Sequence, residues 1–216
     1  MELNRFIEHT CLKQDATKED IKKLMDEAIS NNFLGVCVNP SYVASAKEYL
    51  KDKNVKVITV IGFPLGQSTK ESKVLETIDI IDKGADEVDM VINVGKLKDK
   101  EYEYIKDEIT MVKSVCKKHP LKVILETDLL TQEEIKEGCE LCIDAGANFV
   151  KTSTGFVKNG VGAKVEDVKL MYETVKNSGL KVKASGGIRD RETALKMIEA
   201  GASRIGTSSG VKICTQ

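Results

Sequence analysis

A glycine-alanine pair leading into an apolar run occurs three times in this chain: Gly84-Ala85-Asp86-Glu87-Val88, Gly146-Ala147-Asn148-Phe149-Val150 and Gly201-Ala202-Ser203-Arg204-Ile205. Each copy follows an amphipathic stretch and precedes a β-prone one. Glycine ends a helix in the left-handed conformation, and the chain then enters a strand. The copies start 62 and then 55 residues apart. Half of each interval is about one strand-plus-helix unit of ~30 residues. A chain of 216 residues holds about eight such units.

The strand candidates agree with that count. Seven short, apolar, β-branched runs stand out: Val36–Val38, Val57–Ile61, Val88–Ile92, Val123–Leu125, Phe149–Lys151, Val182–Ala184 and Arg204–Gly206. Phe6–Thr10 is an eighth. Such runs suit strands buried on both faces. Between them, Thr17 with Asp20, Ser68 with Glu71, and Thr131 with Glu134 have capping-box spacing and predict helix starts. In the first helix Ile21, Leu24, Met25, Ala28 and Ile29 share one face. Strict alternation allows a closed (β/α)8 barrel or an open doubly wound sheet. Eight units within 1–216, with no linker or composition shift, favour an α/β fold of one barrel domain, smaller than the ~250 residues typical.

Composition narrows the function. Thirty-three basic and thirty-four acidic residues give a net charge of -1, and no basic tract is present, which argues against a nucleic-acid protein. His9 and His119 are the only histidines, too few for a zinc hydrolase or a metal-dependent aldolase built on several of them, so no metal and no cofactor are expected. No segment approaches the ~18–20 apolar residues of a membrane helix, and MELNRFIEHT has no apolar signal region. The six cysteines are scattered, as free thiols of a cytoplasmic protein would be.

Barrel active sites lie at the C-terminal ends of the strands. The informative residues are therefore the ionisable ones inside apolar strands: Asp89, Lys151 and Lys183. Lysine and aspartate are rarely buried unless paired, and a structural ion pair is the plain reading for any one of them. A structural pair has no need of the second lysine. Burial, or a neighbouring ammonium, lowers a lysine pKa from ~10.4 and frees the amine to attack a carbonyl. Asp89 could then move protons during dehydration and carbon–carbon bond making. The set suits a Schiff-base lyase. Two glycine and hydroxyl turns, Ala184-Ser185-Gly186-Gly187 and Gly206-Thr207-Ser208-Ser209-Gly210, follow the last two strands, where many barrels bind phosphate.

These segments resemble one family closely. FVKTSTGF (Phe149–Phe156), EVDMVINVG (Glu87–Gly95), KASGGIR (Lys183–Arg189) and GTSSG (Gly206–Gly210), with EHTCLK from Glu8, VCVNP (Val36–Pro40) and IGFPLG (Ile61–Gly66), are similar to the motifs of the deoxyribose-phosphate aldolases. The resemblance implies a metal-independent class I aldolase on a (β/α)8 barrel. Such an enzyme cleaves 2-deoxy-D-ribose 5-phosphate to acetaldehyde and glyceraldehyde 3-phosphate. It implies Lys151 as the Schiff-base lysine, Asp89 and Lys183 as the proton-transfer pair, and Gly186, Gly187, Ser208 and Ser209 as the phosphate site. Thr10 and Thr154 would support the centre. Its partners would be the sugar phosphate and acetaldehyde, with neither nucleic acid nor membrane, and a homodimer or homotetramer is compatible with exposed barrel helices. Three departures accompany the likeness. Glu8 stands where many members carry aspartate, Phe156 stands where some carry lysine, and the chain ends at Gln216 without the tyrosine-ended tail of some members.

Other features read more plainly. Cys139 and Cys142 form a C-x-x-C whose spacing puts both sulfurs on an apolar helix face, so core packing is expected, as is an inert thiol at Cys37. His9 could line the site, His119 reads as a surface or capping residue, and Lys96, Lys98 and Lys100 as a solvated stretch. Arg189 is a peripheral cation near the phosphate turn. A phosphate-binding sugar isomerase, or a silent barrel that binds phosphorylated metabolites, would keep the glycine turns. Neither would need two buried lysines.

Overall fold

The computed structural model describes residues 2–216; Met1, the first residue of the expected 1–216 domain, lies outside them. Eight strands run in chain order: β1 Ile7–Cys11, β2 Gly35–Val38, β3 Lys56–Ile61, β4 Glu87–Val91, β5 Leu121–Ile124, β6 Phe149–Lys151, β7 Lys181–Ser185 and β8 Ala202–Thr207. Every neighbouring pair is parallel, and β8 pairs back onto β1, which closes the barrel. All eight predicted strands are therefore present, and the open-sheet alternative is excluded.

Helices cover the outside. Among the described residues they are α1 Lys18–Ser30, α2 Val43–Tyr49, α3 Lys70–Asp82, α4 Val94–Lys98, α5 Tyr102–Cys116, α6 Gln132–Asp144, α7 Val165–Val175, α8 Arg191–Glu199 and α9 Gly210–Thr215. None is long and apolar enough to cross a membrane. The capping boxes at Thr17 with Asp20 and Thr131 with Glu134 form as the spacing predicts. The Ser68–Glu71 box does not. Thr69 caps α3 instead, its hydroxyl accepting the Ser72 N–H at 3.2 Å. Two adjacent hydroxyl residues offered the helix two possible starts, and spacing alone could not choose between them.

Period-two alternation sorts the strand residues into two environments. Val36, Val57, Val88, Leu121, Val123, Val150 and Val182 join one large apolar core beneath the helices. The alternate residues face inward, and only Cys37, Ile58 and Val60, with Leu12, make an apolar cluster there. The same inward register carries Glu87, Asp89, Lys122, Lys151 and Lys183, all buried. The barrel interior thus carries both hydrocarbon and charge. Gly206 makes space for this arrangement, because a Cβ there would stand 3.0 Å from Lys183 Cε.

Outside the barrel, Lys73 of α3 and Glu108 of α5 form a second fully buried pair at 2.5 Å. Lys73 Nζ also donates to the carbonyls of Gly66 at 2.9 Å and Val91 at 2.8 Å. Glu108 accepts the Asn93 N–H at 3.1 Å. The pair ties together the loops that leave β3 and β4. Removing one member leaves an uncompensated buried charge, a loss of about 3–5 kcal/mol. Glu108→Ala should lower the urea midpoint accordingly, whereas Lys22→Ala, at an exposed α1 pair, should barely move it.

Candidate active site

The strand ends open into a cavity of about 480 Å³ at the C-terminal mouth of the barrel. Lys151, the last residue of β6, reaches its floor and is 4% exposed. Thr10, Thr154, Gly186, Gly187 and Ser208 line the walls of the same cavity. Asp89 and Lys183 lie beneath the floor, fully buried. Both lysines donate to one carboxylate oxygen: Lys151 Nζ is 2.7 Å and Lys183 Nζ 2.6 Å from Asp89 Oδ2. Strand register explains the convergence, since Lys151 is paired with Lys183 across β6 and β7.

Two further charged residues belong to this cluster and escape the sequence reading. Lys122 is paired with Asp89 across β4 and β5 and donates to its Oδ1 at 3.0 Å. Glu87 lies 2.6 Å from the Lys122 ammonium and also accepts from Lys56. The signal for Lys122 was the one that exposed Asp89, an ionisable residue within an apolar strand. It was missed because that strand was read as starting at Val123, whereas β5 starts at Leu121. Glu8 completes the cluster. Its carboxylate accepts from Lys183, with Lys122 at 3.6 Å and Arg204 at 3.7 Å.

The electrostatics divide the lysines by role. Burial, aided by the Lys183 charge, holds the Lys151 pKa below the ordinary lysine value against the opposing pull of Asp89. Lys183 is fully buried, yet Asp89 and Glu8 outweigh that burial and raise its pKa. Lys122 is raised in the same way. Burial alone would raise the Asp89 pKa; Lys122, Lys151 and Lys183 overcome it and hold the carboxyl well below the usual range. One amine at the cavity floor is thus biased toward its neutral, nucleophilic form, beside an ionised carboxylate and two firmly protonated lysines.

The Gly186-Gly187 turn follows β7 with φ of +85° and +74°, left-handed values that favour glycine. A Cβ on Gly187 would also stand 2.2 Å from the Val161 carbonyl oxygen. Ser208 is exposed at the cavity edge, while Ser209 lies outside the lining and directs its N–H to Thr207 Oγ1 at 2.9 Å. Arg189 lines the cavity, as do Lys13 and Lys23, cations the sequence reading did not single out. Phe156 lines the cavity as well, packed edge-on against Phe63 at 5.2 Å between ring centres.

His9 lines the cavity and is held by Glu27 at 2.7 Å. His119 is half-buried at the end of the α5–β5 connection, its Nδ1 3.3 Å from the Asp86 carbonyl. Cys139 and Cys142 are fully buried on α6, and burial pushes both thiols up. Cys37 sits inside the barrel near the lysines, its thiol pushed up to about 11 by burial.

Comparison with known proteins places this geometry. The model of the DeoC/LacD family aldolases matches residues 7–216. A deoxyribose-phosphate aldolase of Finegoldia magna is 56% identical over 99% of both chains. One from Thermococcus kodakarensis is 57% identical, covering 98% of this chain and 95% of its own. Among solved structures, a putative deoxyribose-phosphate aldolase from Coccidioides immitis superposes with a TM-score of 0.96 at 45% identity, over 99% of this chain and 85% of its own. A deoxyribose phosphate aldolase from Aeropyrum pernix, described as a tetramer, gives 0.91 at 34% identity, over 99% and 89%. The closed parallel barrel and the names of these relatives place the chain among the aldolases, a class of carbon–carbon lyase. The chain belongs to the DeoC/LacD family of aldolases.

The buried cluster has a consequence for acid stability. Burial alone would raise the Glu87 pKa, but Lys122 and Lys56 bring it down to about 2. As pH falls below the ordinary glutamate value of ~4.3, the unfolded chain takes up a proton there before the native chain does. The stabilisation from Glu87, on the order of 3 kcal/mol, is therefore full above about pH 5 and fades as pH falls toward 2. Glu87→Gln should flatten this part of a stability–pH curve measured by urea unfolding. An unchanged slope would mean that Glu87 titrates alike in both states.

Proposed function

We propose that this enzyme cleaves 2-deoxy-D-ribose 5-phosphate reversibly to acetaldehyde and D-glyceraldehyde 3-phosphate through a Schiff base on Lys151. The carrying observation is the Lys151 amine at the cavity floor, lowered in pKa and sharing one Asp89 oxygen with Lys183. The names of the Finegoldia and Thermococcus relatives support the choice of substrate.

The neutral amine attacks C1 of the open-chain sugar, and the carbinolamine loses water to give the protonated imine. The C2–C3 bond then breaks. Its electron pair moves into the imine to form an enamine, while the C3 hydroxyl gives up its proton and becomes the aldehyde of glyceraldehyde 3-phosphate. Protonation of the enamine at C2 and hydrolysis release acetaldehyde and restore the amine. Asp89 and Lys183 are the proton-transfer pair. Because both are buried behind Lys151, they act through the Lys151 nitrogen or a water beside it.

Gly186, Gly187, Ser208 and Ser209 hold the phosphate in this reading, with Arg189 as a peripheral charge. Thr10 and Thr154 support the sugar from the cavity wall. No metal or cofactor takes part. The proposed setting is cytoplasmic deoxyribose phosphate catabolism by a homo-oligomer, with no membrane or nucleic-acid partner.

Borohydride reduction in acetaldehyde should add one ethyl group, mapping to Lys151, and Lys151→Leu should abolish it. An adduct on Lys183 would reverse the roles, and no adduct would favour an isomerase or a silent barrel. The pH dependence of trapping tests the electrostatics. Lys183→Met removes a positive neighbour and should move the Lys151 ionisation to higher pH. Asp89→Asn removes the opposing negative charge and should move it lower, while cleavage slows ~10²–10⁴-fold.

A further inference from the structure

Lys151 ends β6 and Val165 begins α7, and the thirteen residues between them form neither helix nor strand. Within this segment, Val161, Gly162 and Ala163 form the seat of the Gly186-Gly187 turn. Ala163 N–H donates to the Gly186 carbonyl at 3.1 Å. A Cβ on Gly162 would stand 2.4 Å from Gly186 C, and a Cβ on Gly187 2.2 Å from Val161 O. The glycines at these positions are needed because two backbones pass within contact distance, whatever the turn binds.

The seat is itself held by a residue from another strand end. Asp128 lies in the tight turn Thr127–Leu129 after β5, its side chain 8% exposed. Its Oδ2 accepts the Gly162 N–H at 2.7 Å, and the Lys164 ammonium stands 3.7 Å from its Oδ1. The turn is anchored to the strand end bearing the nucleophile, since Thr127 N–H donates to the Thr152 carbonyl at 3.0 Å. Gly160 packs so closely that a Cβ there would stand 2.7 Å from Asp128 Oδ2.

We propose that Asp128 is a positioning residue for phosphate recognition, setting the Gly186-Gly187 turn through the backbone of Val161–Ala163. It does not line the cavity, and it acts by fixing how far the two glycine amides stand from the floor where Lys151 reacts. The proposal rests on the reading of that turn as the phosphate site. A misplaced amide weakens its contact with an anion but leaves the amine chemistry on β4, β6 and β7 in place.

The test compares kcat and KM for 2-deoxyribose 5-phosphate and for unphosphorylated 2-deoxyribose. Asp128→Ala should raise KM for the phosphorylated sugar about tenfold or more, the effect of losing one hydrogen bond to a charged group. Inhibition by inorganic phosphate should weaken in parallel, while kcat/KM for deoxyribose changes by less than about threefold. Gly162→Ala should give the same split by pushing on Gly186 directly. Asp128→Asn, which keeps an acceptor oxygen of the same size, should fall between wild type and Asp128→Ala. Equal losses on both sugars, or no loss on either, would overturn the positioning role. A wild-type enzyme that ignores inorganic phosphate and does not prefer the phosphorylated sugar would instead remove the phosphate reading before any variant is made, and this proposal with it.

Discussion

The carboxylate of Asp89 is the interaction on which the site depends. It stands in the barrel interior with Lys122 at 3.0 Å on one oxygen, and Lys151 at 2.7 Å and Lys183 at 2.6 Å on the other. Taking such charges out of water costs several kcal/mol for each ion, so the arrangement persists only because the partners neutralise one another. Glu8 and Glu87 supply the remaining negative charge. The cluster is also asymmetric. Lys122 and Lys183 each have carboxylate neighbours besides Asp89, whereas Lys151 has Asp89 alone among its salt bridges. The least-compensated ammonium is the one most easily deprotonated, and it is the one that reaches the cavity.

The barrel makes this asymmetry affordable. Outward-facing valines and leucines on the same strands bury the hydrocarbon that holds the fold together, so the inward face is free to carry charge. Glu8 fits this scheme as a structural counter-ion. It is fully buried, its carboxylate accepts from Lys183, and Lys122 and Arg204 stand near its other oxygen. Glutamate in place of aspartate at this position therefore keeps the negative charge that holds Lys183 protonated. Phe156 follows a different logic. Where a lysine would bring charge to the cavity wall, it brings an aromatic edge packed on Phe63, leaving Arg189, Lys13 and Lys23 as the basic residues of the lining besides Lys151.

Much of this was legible in the order of residues, for identifiable reasons. Buried parallel strands are short apolar runs, so all eight were visible, and an ionisable residue inside one is conspicuous; Asp89, Lys151 and Lys183 were found in that way. Lys122 carries the same signature, but it sits one residue before the point where its run was read as beginning. Glu87 was hidden by its position at the start of β4, where a charged residue reads as the solvated end of a strand. The Lys73–Glu108 pair was hidden for another reason. Both residues lie in helices rich in surface lysine and glutamate, and their burial arises only when α3 packs on α5 beside two loops.

The glycine turn shows how one residue pattern can answer two demands at once. In the sequence, Gly186-Gly187 suggests room for an anion against the backbone. In the fold, the same glycines also make room for Val161 and Gly162, which approach from the other side. A bulky substitution at Gly187 would disturb both contacts together, so it could not separate ligand binding from loop placement. The two demands come apart at residues such as Asp128, which touches the supporting segment and not the cavity. No periodicity or motif ties Asp128 to Gly162, thirty-four residues later in the chain. Their contact exists because parallel pairing of β5 with β6 and of β6 with β7 sets the ends of the three strands side by side. The residues proposed to react could be found within their own strands, whereas a residue such as Asp128, which holds a neighbouring loop, becomes visible only once adjacent strand ends are seen together.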